Sequence, residues 1–130
     1  MKRIIIVIII FSALLSIATF EIVYSTSLYT DIHQGLVLVS DSIDKNRENL
    51  DNPETIELMQ NVMQRWNKGK ELLFMFGNTT LLRSVDDRLV TLNIMIQINH
   101  KDDAPVAVAS AKSLILAVLN DTHPVPTNLF

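Results

Sequence analysis

The sequence predicts an all-α fold, an N-terminal transmembrane helix continuing into an antiparallel four-helix bundle. Three observations carry this. Residues 4–20 form an uncharged apolar run directly behind Lys2 and Arg3. The rest of the chain repeats apolar residues at intervals of three and four, which gives a helix one buried face. The breaks between these segments, Asn52-Pro53 and Asp103-Ala104-Pro105, are helix-start signals. Residues 1–24 are accordingly expected to be a membrane anchor or signal peptide. Residues 25–130 are expected to be an extracytoplasmic helical bundle with an extended C-terminal tail.

The apolar run decides the compartment. Its 17 residues span roughly 25 Å as a helix, slightly short of a ~30 Å hydrocarbon core. Continuing through Ile22, Val23 and Tyr24 closes the gap and sets Tyr24 at headgroup level. Basic residues stand before the span, while Glu21 and Asp31 follow it. The positive-inside tendency then places the N-terminus in the cytoplasm and the remainder outside it. Ser16-Ile17-Ala18 is a small-x-small pattern, so cleavage after Ala18 is the competing reading. Against it, Phe20, Ile22 and Val23 carry the apolar run past that site with no polar stretch between.

The first amphipathic segment has its stripe at Leu28, Ile32, Leu36, Val39 and Ile43. No stop precedes Asp51, so anchor and segment read as one rod, with Gly35 the only weak point. The second starts with Asn52 as cap, Pro53 at the first helical position and Glu54 in the first turn. Its stripe is Ile56, Met59, Met63 (with Val62), Trp66 and Leu73, and Gly77 is placed to end it. The third begins at Thr79 or Thr80 and buries Leu82, Val85, Leu89, Leu92 and Ile96. The fourth follows Asp103 and buries Val108, Ala111, Leu114 or Ile115, and Val118. Pro124 and Pro126 force an extended tail. An up-down course brings Phe74, Met75, Phe76, Leu81 and Leu82 back toward the membrane as an apolar end. There they serve either as a contact with lipid or a membrane protein, or simply to close the core.

Composition excludes much chemistry. The chain has no cysteine, which removes disulfides, thiolate metal sites and cysteine nucleophiles. Three glycines leave no glycine-rich phosphate loop. With Lys2 and Arg3 set aside, 9 of the 11 basic residues and all 14 acidic ones remain, a charge of −5. That is no nucleic-acid binder. His33, His100 and His123 lie in different segments, and only His100 has acidic neighbours, at Asp102 and Asp103. No His-x-x-x-His or Glu-x-x-His pair occurs, so no metal site or other cofactor is expected. Asp86 and Asp87 read as part of a solvated charged face with Arg83 and Arg88. Trp66 reads as core.

The chain also resembles a family of short, uncharacterised, membrane-anchored all-helical proteins, mostly from Gram-positive bacteria. The matching features are Lys2-Arg3-Ile4, the run Trp66-Asn67-Lys68-Gly69-Lys70-Glu71-Leu72-Leu73 with Phe76 after it, and Asp86-Asp87-Arg88-Leu89. Lys112-Ser113-Leu114 and the closing Asn128-Leu129-Phe130 complete the set. The family usually has an acidic or histidine-containing turn where this chain has Asn78-Thr79-Thr80. The resemblance implies topology and localisation and supplies no catalytic residue. We therefore expect a non-enzymatic, single-pass membrane protein, partnered by the lipid bilayer and another membrane protein. The alternative is a bundle that binds a small molecule or metal near Trp66 or His100.

Overall fold

The computed structural model describes residues 1–76 and 79–122, with the side chains of Phe76, Asp121 and Thr122 left aside. Gly77, Asn78, His123 and the tail bearing Pro124 and Pro126 lie outside the described residues. Among those described, the chain is all helical: α1 (Lys2–Lys45), α2 (Pro53–Phe76), α3 (Thr79–Gln97) and α4 (Ala104–Thr122). Residues 94–98, which could pass for a short strand, continue α3 or its closing turn.

α1 is a single helix of 44 residues. Its first half is apolar and stands clear of the rest, with every residue from Ile4 to Phe20 exposed. It is the one helix among the described residues long and apolar enough to cross a membrane. Its second half is amphipathic, and Leu28, Ile32, Leu36, Val39 and Ile43 are all fully buried. The change from exposed to buried occurs at Tyr24 and Ser25 without a break in the helix.

The helices touch in a ring. α1 packs on α2 and α4, and α3 packs on α2 and α4. The order of the α1–α2 contacts fixes the register. Ser42 Oγ lies 2.6 Å from Thr55 Oγ1, Arg65 Nε donates to Asp31 Oδ2 at 2.9 Å, and Tyr24 Oη donates to the Gly69 carbonyl at 3.2 Å. Moving up α1 is therefore moving down α2. Two glycines bring the helices together: a Cβ on Gly35 would sit 2.6 Å from Val62 Cγ2, and one on Gly69 would sit 2.6 Å from Leu28 Cδ2.

Most of the expected stripe positions form the core, while Ile56 and Met63 of α2 are only half-buried against it. All five α3 positions are buried, as are Met59, Val62, Trp66 and Leu73 of α2. On α4 the buried member of the alternative pair is Ile115, with Leu114 half-buried beside it.

The ends of the helices near Lys45 and His100 are knotted by short polar side chains. Asn52 caps α2 by accepting the Thr55 N–H at 3.0 Å, as its position before Pro53 predicts. Its amide nitrogen also donates to Thr55 Oγ1 and to the Asn49 carbonyl. α3 closes differently. Asn99 takes φ 56°, the His100 N–H reaches the Met95 carbonyl and the Asn99 N–H reaches the Ile96 carbonyl. This is a Schellman closure with asparagine in the left-handed position that glycine more often fills. Asn99 Oδ1 then accepts the Leu50 N–H at 2.9 Å, joining the two turns. Asp103 stands directly before α4, and its carboxylate lies 3.2 Å from His100 Nδ1.

The glycine contacts generate a prediction. Val62 is β-branched, 3 % exposed and unable to swing away cheaply. Gly35→Ala should therefore cost about 1 to 2 kcal/mol although alanine is the better helix former. Chemical unfolding of the detergent-solubilised chain, followed by Trp66 emission, checks this. In a Val62→Ala background the same change should be neutral or stabilising.

Candidate interaction site at one end of the helices

Register sets the geometry of the apolar end. Stepping one residue down α2 for each residue up α1, from the Gly35–Val62 contact, brings Leu73 level with Tyr24 and Phe76 level with Glu21. The last turn of α2 thus ends beside the point where the free half of α1 departs.

Of the five residues nominated at this end, the described structure treats four differently. Leu82 is 2 % exposed and belongs to the core, as Leu73 beside it does. Phe74 and Leu81 are half-buried and pack against that core. Met75 is 76 % exposed. The side chain of Phe76 lies outside the described residues. On α1 at the same level, Ile22 and Val23 are exposed, while Tyr24 stacks on Phe20 with ring centroids 5.8 Å apart. Among the described residues the end is therefore an apolar floor of Leu73, Phe74, Leu81 and Leu82, with Met75 projecting from its edge.

The polar centre of the molecule lies elsewhere and was missed in the sequence. Asp86 is not part of the solvated face. Its Oδ1 accepts the Trp66 indole N–H at 2.8 Å and a Lys70 Nζ proton at 3.1 Å. Asp87, Arg83 and Arg88 are exposed, with Arg88 donating to the Ser110 carbonyl at 3.1 Å. Trp66 is fully buried and would otherwise leave its N–H unpaired. The spacing of Lys70 four residues after Trp66 was the available signal, since i and i+4 share a helix face.

Tyr29 packs tilted against Trp66, ring centroids 6.1 Å apart, and is 3 % exposed. Burial pushes its hydroxyl up to about 12. Between α1 and α2 a shallow groove of about 120 Å³ is lined by Gly35, Leu38, Leu58 and Val62, with the Asp31–Arg65 pair at its rim. Among the described residues no three His, Asp or Glu side chains converge as a metal site would need.

Comparison with protein-family models, with curated proteins and with solved structures finds no match to this chain.

Two predictions follow from the Trp66 environment. Asp86→Ala leaves a buried indole N–H without an acceptor and should cost about 1 to 3 kcal/mol. Asp86→Asn keeps the acceptor, loses only the charge opposite Lys70, and should cost less. Unfolding in urea separates the two.

The second concerns pH. Tyr29 ionises near 12 in the folded chain and near 10 when unfolded. The stability it confers is complete below pH 10 and is lost as pH rises through 12. By pH 11.5 the loss is about 2 kcal/mol. Tyr29→Phe should abolish that share of the alkaline decline, measured as the difference between the two chains at pH 8 and pH 11.5.

Proposed function

We propose that this chain is a non-enzymatic, single-pass membrane protein whose helices after Tyr24 form an antiparallel four-helix bundle outside the cytoplasm. The bundle acts as an accessory subunit of a membrane complex. The observation that carries this reading is the division of α1. One uninterrupted helix is wholly exposed and apolar over residues 4–20 and supplies the core of the other helices over residues 28–43. An exposed apolar surface of that length is stable in water only when something covers it, and a bilayer covers it without a partner of matching shape.

The ring of contacts and the opposed register of α1 and α2 support the bundle. Lys2 and Arg3 ahead of the span support a cytoplasmic N-terminus. Ser16-Ile17-Ala18 lies inside the helix, with Ser16 Oγ donating to the Ser12 carbonyl at 2.9 Å. The apolar run continues past that site through Phe20, Ile22 and Val23, which favours retention of the span over its cleavage. The end bearing Phe74, Met75, Phe76, Leu81 and Leu82 faces the bilayer or a neighbour within it.

The test is purification of the tagged full-length chain from its native membranes in mild detergent, with partners identified by mass spectrometry. One membrane protein in stoichiometric amount is the expected result. Recovery of the chain alone overturns the accessory-subunit reading.

A further inference from the structure

Resting on the membrane reading above, we infer that the last turn of α2 is seated in the lipid interface, with Met75 as an interfacial anchor. The bundle sits on the bilayer surface and is not held above it.

The argument is one of lengths. Ile4–Phe20 supplies 17 uncharged residues, or about 25 Å of helix, and a hydrocarbon core needs about 30 Å. The missing 5 Å corresponds to about three residues, which are Glu21, Ile22 and Val23. Ile22 and Val23 are exposed and apolar, and Glu21 is half-buried. So the boundary of the hydrocarbon falls at their level. The α1–α2 register puts Val23 opposite Phe74, and Ile22 opposite Met75. The exposed apolar surface of the span therefore steps sideways onto α2, where Met75 shows 76 % of its surface.

Lipid fits this surface better than a protein does. A specific protein interface needs roughly 800 Å² on each side and a shaped surface to match. Among the described residues, Met75 is the one exposed apolar side chain of this end on α2 and α3, standing beside the buried Leu73 and Leu82. Methionine is unbranched and adapts to irregular surroundings, and the boundary between headgroups and acyl chains is of that kind.

The chain has no cysteine, so single-cysteine variants of the full-length protein report one position each. Met75→Cys, Val23→Cys and Ile98→Cys would each be labelled with a bimane. Ile98 is 62 % exposed beyond the opposite end of α3. The labelled chains are reconstituted in phosphatidylcholine–phosphatidylglycerol vesicles containing lipids with a nitroxide near the headgroup. The expected result is about a twofold loss of emission at positions 75 and 23 and none at 98. Quenching at 23 without quenching at 75 overturns the seating and leaves the anchor standing, with the turn placed in water or against protein. No quenching at 23 overturns the membrane reading and the seating together.

Discussion

No side chain separates α1 from α2 at Gly35 and Gly69, where a Cβ would fall within 2.6 Å of Val62 and Leu28. The remaining geometry depends on this approach. It lets Leu28 and Val62 pack against opposing backbone and holds the two helices to one register. With that register set, the Tyr24 hydroxyl meets the Gly69 carbonyl and Ser42 meets Thr55. A shift by one turn would break both hydrogen bonds and put Val62 against a residue with a side chain. Two missing methyl groups thus specify the pairing more sharply than apolar burial, which tolerates sliding.

Polar groups complete what the apolar stripes leave loose. Stripes alone allow helices to rotate and slide, and the chain counters this at several levels. Trp66 and Lys70 converge on Asp86 between α2 and α3. Arg88 reaches the α4 backbone. Asn99 and Asn52 lock the turns at the far end. The surface ion pair of Asp31 with Arg65 contributes little energy, about 0 to 1 kcal/mol. The indole–carboxylate contact is better sheltered, because it satisfies a donor that no water reaches.

The helices and their buried faces were legible in the sequence because both follow from local periodicity. The five α3 positions and the five α1 positions were read in full, and the Asn52-Pro53 start has the cap its residues imply. The continuous α1 followed from the absence of any stop. What was not legible depends on pairs far apart in the chain. Asp86 looked like its charged neighbours because nothing local says that Trp66, twenty positions earlier, points at it. Asn99 was overlooked because its left-handed turn is more often made by glycine. Gly35 was read as a weakness in a rod, and only the packing of α2 shows it as a point of contact. At the candidate site the five residues were nominated by hydrophobicity alone. Their division into floor and edge, with Leu82 beneath and Met75 outside, required the tertiary structure.

The passage of α1 from its exposed half to its buried half without a joint has a mechanical consequence. A domain on a flexible tether reorients freely. Here the exposed apolar half and the half that packs on α2 and α4 are one rod, so on the proposed membrane reading the packed helices have no orientation of their own. From Tyr24 to Lys45 that rod runs 22 residues, about 32 Å. A tilt of about 20°, ordinary for a membrane helix, would carry its far end sideways by about 11 Å. Under the proposed membrane reading, any tilt of α1 would thus appear, amplified, at the turns joined by Leu50 and Asn99.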